Sequence, residues 1–274
     1  LGEALTALAD PEQGAVAVAG CTDLMVVDHA TGRSHKTVVD VLRIPELRGI
    51  EVQGGCVDMG AATTFTEIRE SAQVAEHCPI LAEVAATIGA WQIQNRATIG
   101  GNIANASPAG DSLPVLLALN AECVLVGPSG ERVVGYDHMH LGYRQTALQQ
   151  GELIKRVRIP IPDSDTVQLF KKVGTREAQS ISKVVVAMVA RLRGGQMQDV
   201  RIGAGSLAAI PIRLPEAEGV CEGASPSASV ASEAGRRAGA EVNPIDDVRS
   251  TATYRRFALE RVVRRMVLNV GERG

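Results

Sequence analysis

Two stretches of this chain carry few side chains and many hydrogen-bonding groups. One is "AVAGCTDL", Ala17 to Leu24; the other is "TIGGN", Thr98 to Asn102, with "SPAGD" just after it. Where bulky side chains are missing, a ligand can approach the main chain closely. Successive backbone N–H groups in such turns form concave nests that suit anions, typically phosphate. Hydroxyls and amides stand close by at Thr22, Thr98, Asn102, Asn105 and Ser107. A helix expected to begin near Asp111 and run through "LPVLLALN" would add its own N-terminal N–H groups. Asp111 would cap that helix or accept a hydrogen bond from a ribose or flavin group. Neither stretch contains lysine, so neither is a Walker loop, whose grip needs GxxxxGK[ST]. The alternative for each is a tight turn ahead of a capped helix. Two such segments in one chain, each after a predicted strand or helix, favour binding.

The elements that must position these turns follow from the residue pattern. "LGEALTALAD" has helical spacing, and "GAVAVAG" reads as a short strand entering the first turn. "KTVVDVLRI" is a second strand, and "IEVQGGCVDMGAATT" a hairpin turning at Gly54-Gly55. The stretch from Thr64 to Ala90 is helical, broken by Pro79. "ECVLVGPSGERVVG" is a hairpin around Gly127 to Gly130, and "LIKRVRIPIP" is a strand. To this point strands and helices mix in βα order. "IPIPDSD", Ile159 to Asp165, marks a boundary. Beyond it come strands in "LFKKVG", "ISKVVVAMVARL" and "DVRIGAGSL", the last two joined by Gly194-Gly195, and then helices. "EGASPSASVASEAG" reads as a loop running into a short helix. The final helix, about Ser250 to Val270, puts Ala258, Leu259, Val262, Val263, Met266, Val267 and Val270 on one stripe. Strands followed by helices indicate a separate α+β lobe.

Bulk composition narrows the function classes. The chain has 274 residues, enough for two or three lobes, with 45% apolar and 22% charged residues. A net charge of −3 and only 3% aromatic residues argue against a nucleic-acid binder. No run approaches the roughly 20 apolar residues of a membrane span. The opening has no signal-peptide pattern and begins abruptly, so the natural start is expected to lie upstream. Cys21, Cys56, Cys78, Cys123 and Cys221 are scattered without a CxxC pair. An iron–sulfur site or disulfide framework within the chain is therefore not expected, and a reducing cytoplasmic setting is.

Two features are set aside and a third stays open. "GAGSLAA", Gly203 to Ala209, fits GxGxxA, but a Rossmann fingerprint must open a helix and Pro211 follows at once. "HMH", His138 to His140, lacks a third ligand at metal spacing. Lys171 and Lys172 share a strand and so point to opposite faces; one would be solvated and the other could reach a ligand.

"AGCTDLM", "NRATIGGNIANASPAGDSLPVLLALNAE", "GYRQTALQQGELIKRVRIP" and "FKKVGTREAQSISKVVVA" together resemble the FAD-binding medium subunit of molybdenum hydroxylases. This is the family of xanthine dehydrogenase and carbon monoxide dehydrogenase. The resemblance runs in order over nearly the whole chain. It implies an α+β protein: a two-lobed FAD-binding fold of the vanillyl-alcohol oxidase (PCMH) type, plus a C-terminal α+β lobe of the carbon monoxide dehydrogenase flavoprotein type. The lobes would span residues 1–53, 54–162 and 166–274. FAD would lie noncovalently between lobes, its diphosphate held by main chain at two turns. The first is Ala17, Val18, Ala19, Gly20, Cys21, Thr22, Asp23 and Leu24; the second is Thr98, Ile99, Gly100, Gly101 and Asn102. Asp111, Ile154 and Lys171 line up with flavin contacts of the family, and Ile88 with another. Tyr143 aligns with an aromatic near the ring system. Many relatives read AGGTDL where this chain has Cys21; if φ is positive there, cysteine is strained. Trp91 stands where a basic residue is common.

The implied role is electron transfer. Substrate would be oxidised at a molybdenum cofactor in a large partner, and electrons would pass through 2Fe–2S clusters of a small partner to FAD and on to NAD+, oxygen or another acceptor. The assembly would be a dimer of heterotrimers. No catalytic acid or base is assigned to this chain, and Lys171 is the candidate for tuning the flavin. Two rivals remain at this point: a stand-alone reductase of the UDP-N-acetylenolpyruvoylglucosamine reductase type, and a scaffold subunit that has lost its flavin.

Overall fold

A computed structural model describes residues 1–176 and 179–273. The first unit begins with helix α1, Gly2–Ala9, which turns Ala4 and Leu8 inward. Strand β1, Ala15–Val18, leads through the first glycine turn into helix α2, Leu24–Thr31. Strand β2, Thr37–Asp40, pairs with β1 in parallel, Ala15 opposite Thr37. The "VLRI" segment does not extend β2. It winds into a 3-10 turn, Val41–Arg43, because the Asp40 carboxylate accepts the Leu42 N–H and tightens the chain. A second 3-10 turn, Pro45–Leu47, starts at the proline. A small apolar core of Leu8, Val41, Ile44 and Leu47 meets Val126 and Leu153 of the next unit.

Strands β3, Ile50–Gln53, and β4, Cys56–Gly60, form the expected hairpin, with Gly54 and Gly55 at φ 57° and 73°. The helical region is divided more often than Pro79 alone requires. Helix α3, Phe65–Glu70, has a capping box between Thr64 and Glu67. Ser71 stops it and caps α4, Ala72–His77; Pro79 opens α5, Pro79–Thr87. Three short helices follow: α6, Trp91–Gln94; α7, Ile99–Asn105; and α8, Ser112–Ala118. Then come β5, Glu122–Gly127; β6, Gly130–Gly135; the short pair β7, His140–Gly142, and β8, Gln145–Thr146; and β9, Leu153–Pro160. The sheet order is β3-β4-β9-β5-β6 and every pairing is antiparallel. The βα order read from the sequence thus yields one parallel pair, β1–β2, and otherwise an α+β unit. Residues 50–53, counted with the first lobe in the sequence division, hydrogen-bond into this five-stranded sheet.

The C-terminal unit holds β10, Thr166–Val173; β11, Val184–Arg193; β12, Gln196–Gly205; and β13, Ile212–Arg213, in one antiparallel sheet. Helices α9, Pro215–Cys221; α10, Ala228–Glu241; and α11, Ala252–Arg273, cover one face. The "SASVASEAG" stretch is no short helix but the start of 14 helical residues, capped by Ser227. Its Ala231, Ala234, Gly235 and Ala238 form a buried stripe, and a methyl at Gly235 would sit 2.6 Å from the Glu260 carbonyl oxygen. Small residues here let two helices touch. The rejected "GAGSLAA" motif has the same explanation: a methyl at Gly203 would lie 2.0 Å from the Pro114 carbonyl oxygen, where β12 crosses α8.

Candidate functional site

The β1–α2 turn faces α7 across a cleft of 660 Å³. Its floor is apolar, made by Ala61 and Ala62 after β4, by Leu153 and Ile154 of β9, and by Val41 and Leu47. All eight residues of the first turn, Ala17 through Leu24, line it. From the second stretch come Thr98, Gly100, Gly101, Asn102 and Asn105.

The two turns do different work. In the first, the N–H groups of Gly20, Cys21, Thr22 and Asp23 have no acceptor among the described residues. Orphan donors beside a cleft invite an anion. The turn is held against the segment before α7 so closely that a methyl at Gly20 would lie 1.9 Å from the Arg96 carbonyl oxygen. Cys21 has φ 62°, the left-handed conformation that glycine adopts at no steric cost. Its thiol lies 3.6 Å from the Ala19 carbonyl oxygen.

In the second turn only the Thr98 N–H lacks an acceptor among the described residues, contrary to the expectation of two matching nests. The Ile99 N–H donates to the Thr63 carbonyl and the Gly100 N–H to Ala61. The Gly101 N–H donates to the Thr98 hydroxyl at 3.0 Å, and the Asn102 N–H to the Thr98 carbonyl. What this turn supplies is space. A methyl at Gly101 would meet only Thr98 Oγ1, at 2.9 Å, and Ala19 Cβ, at 4.0 Å. No residue of helix α8 lines the cleft; Ser112 at its start is fully buried and gives its hydroxyl to Asn102 Oδ1 at 2.7 Å.

Six residues expected at the site lie outside the cleft lining. Ile99 is in the core beneath it. Ser107 Oγ accepts the Ala109 N–H in a local turn. Tyr143 is exposed at the β7–β8 connection. Ile88 follows α5, and its carbonyl accepts from Gln94 Nε2. Asp111 does not cap α8: its carboxylate accepts from Lys172 Nζ at 2.6 Å and from the Ser182 hydroxyl. Burial pushes the Asp111 carboxyl above its ordinary range, while the Lys172 ammonium and both hydrogen bonds pull the other way. Lys172 also donates to the Thr87 carbonyl at 2.9 Å, next to Ile88. Of the two neighbouring lysines it is therefore Lys172, not Lys171, that turns inward toward Ile88 and Asp111. Lys171 is exposed in a separate groove with Glu83, Phe170, Arg261 and Arg265. Strand alternation requires the two lysines to diverge, but the choice between them depends on which face of β10 meets α5 and α8.

Sequence reasoning missed the two cations of the cleft, Arg33 and Arg144. Arg144 stands beside Tyr143 in the "GYRQTALQQGELI" stretch, and nothing local distinguished the two. Its guanidinium donates to Asn105 Oδ1 at 2.6 Å and to Asp23 Oδ2 at 3.3 Å. Of the histidines in "HMH", His138 pairs with Asp137 and His140 is buried against the Tyr136 hydroxyl at 3.0 Å. Trp91 is exposed, with the Arg69 guanidinium 4.1 Å above its ring.

A mainly apolar cleft of this volume, with a strip of free N–H groups along one wall and two arginines, has the features required by a dinucleotide: a diphosphate contact and apolar room for rings. The residues present thus fit FAD.

Comparison with known proteins agrees. Residues 1–162 match the family described as the FAD binding domain in molybdopterin dehydrogenase, and residues 168–270 the CO dehydrogenase flavoprotein C-terminal domain. The chain is 30% identical over 265 residues to the carbon monoxide dehydrogenase medium chain of Hydrogenophaga pseudoflava, spanning 97% of this chain and 92% of that one. It is 32% identical over 226 residues to a xanthine dehydrogenase FAD-binding subunit of Escherichia coli O157:H7, spanning 82% and 77%. A solved carbon monoxide dehydrogenase from Hydrogenophaga pseudoflava, lacking the Mo-pyranopterin moiety, superposes with a TM-score of 0.94 at 31% identity over 98% of this chain and 93% of that one.

Proposed function

The chain belongs to the FAD-binding medium subunits of the molybdenum hydroxylases, and from that premise we propose that it relays electrons within a three-component complex. Its place is between the 2Fe–2S clusters of a small partner and an acceptor such as NAD+, oxygen or a quinone-linked carrier. A large partner holds the molybdenum cofactor, where the organic substrate is oxidised. The complex is a dimer of heterotrimers in the cytoplasm; no helix among the described residues is long and apolar enough to cross a membrane.

The observation that carries this reading is the run of unpaired N–H groups from Gly20 to Asp23, facing Gly101 across the cleft. These groups hold the diphosphate noncovalently, and Gly101 leaves room for its approach. Ala61, Ala62 and Ile154 exclude water beneath it. When bound, FAD would supply the redox chemistry of the relay. Lys172 is held by Asp111, Ser182 and Thr87 outside the cleft lining and Lys171 lies in a separate groove, so neither lysine is assigned a flavin-tuning role. Trp91, Arg96 and Arg176 form part of the surface toward the partners, since exposed tryptophan and arginine are common interface anchors.

The test has two arms. Acid precipitation of the purified protein should leave the yellow colour in the supernatant; colour in the pellet contradicts noncovalent binding, and no colour removes the reading. Co-expression with the neighbouring small and large subunits should give a complex containing iron and molybdenum, in which substrate bleaches the flavin. Turnover of an organic substrate by the isolated chain at a comparable rate would favour the stand-alone reductase.

A further inference from the structure

Arg144 joins three segments that are distant in sequence. It sits between β7 and β8 with φ 52°, and its guanidinium reaches Asp23 at the end of the first turn and Asn105 at the end of α7. All three side chains border the cleft. Asp23 poses an electrostatic problem there. Its carboxylate follows directly on the N–H groups that are free to take an anion, so an unneutralised charge would repel the ligand those groups attract. Arg144 supplies the opposite charge at 3.3 Å, and its bond to Asn105 holds the guanidinium where it meets Asp23.

We propose that Arg144 is a charge-neutralising latch of the cofactor site: it cancels the Asp23 charge beside the diphosphate and so sets how slowly FAD leaves. The inference rests on the FAD reading above and goes beyond it in assigning retention to one arginine outside both glycine turns. Arg144 acts through Asp23, which makes it a positioning residue. Its role therefore has a signature that simple packing lacks. Removing Arg144 should harm retention only while Asp23 carries its charge.

The experiment measures the release of FAD from flavin-loaded protein after dilution, followed by the rise in free-flavin fluorescence. The forms compared are the natural protein, R144Q, R144K, D23N and the double variant R144Q/D23N, each at low and high salt. R144Q should release FAD about two- to fivefold faster at low salt, the scale of a solvent-exposed ion pair. R144K, which keeps the charge, should stay close to the natural rate. The double variant should recover most of the loss, and the R144Q defect should shrink at high salt as charges are screened. R144Q releasing FAD at the natural rate overturns the proposal. So does a double variant that releases as fast as R144Q, since the arginine would then act by packing alone. Should R144Q not fold, D23N and R144K decide: slower or unchanged release in both supports the latch, and faster release in D23N overturns it. A natural protein without flavin would sink the FAD reading itself, an outcome distinct from all of these.

Discussion

Lys172 Nζ lies 2.6 Å from Asp111 Oδ2, and the two side chains are only 7% and 8% exposed. The pair ties the first strand of the C-terminal sheet to the residue before α8, and the Ser182 hydroxyl and the Thr87 carbonyl complete the cluster. A buried pair of this kind aligns two units and is costly to break on one side only.

Asp111→Ala or Lys172→Met should therefore destabilise the protein by about 3–5 kcal/mol, because each leaves the other charge buried without its partner. The double variant Asp111→Leu/Lys172→Met should lose markedly less than the sum. Urea denaturation of the three variants checks this. Additive losses would mean that the two groups do not depend on each other.

Gly20 and Gly101 should separate stability from binding. A methyl at Gly20 meets backbone that cannot move aside, so Gly20→Ala should cost about 1–3 kcal/mol of stability and lose the cofactor with it. A side chain at Gly101 enters the open cleft, so Gly101→Val should keep its melting temperature within a few degrees. It should weaken FAD binding by several lost hydrogen bonds, each worth about 0.5–1.5 kcal/mol. Thermal melts and flavin titrations on both variants are the measurement. Full flavin occupancy of Gly101→Val on dilution would make that turn structural only.

His140 should give the protein an acid-sensitive term. Burial lowers its pKa from 6.5 to about 4, so the folded state holds the neutral ring. Between those values the unfolded chain takes up a proton that the folded chain refuses. Stability from this residue is thus complete above the unfolded pKa and falls as pH drops, by up to about 1.4 kcal/mol per pH unit, until the folded pKa is reached. His140→Gln, which cannot titrate, should flatten that part of the profile. Chemical denaturation at intervals between pH 7 and pH 4 would show an unchanged slope if His140 is not responsible.

Residue order and local chemistry determined a large part of this protein. The strand entering the first turn, the hairpin at Gly54-Gly55, the hairpin at Gly194-Gly195 and the apolar stripe of the last helix all follow from short-range pattern, whereas helix α2 does not. So do the residues of the first turn, because a stretch without side chains next to a strand end declares itself locally. What tertiary structure decided is how each local offer was used. The N–H groups of α7 were legible as donors, yet Thr63 and Ala61, brought alongside by the chain before α3, take two of them. Small residues at Gly203 and Gly235 resembled those of the cleft, but other backbone fills the space they leave. Lys171 and Lys172 were equivalent by alternation until packing chose a face of β10. Arg144 became a cleft residue only because the chain folds back over a separation of 121 residues to bring it to Asp23. A sequence lists the donors, charges and gaps along the backbone; which of them are satisfied from within depends on contacts between distant segments, and no local pattern encodes those.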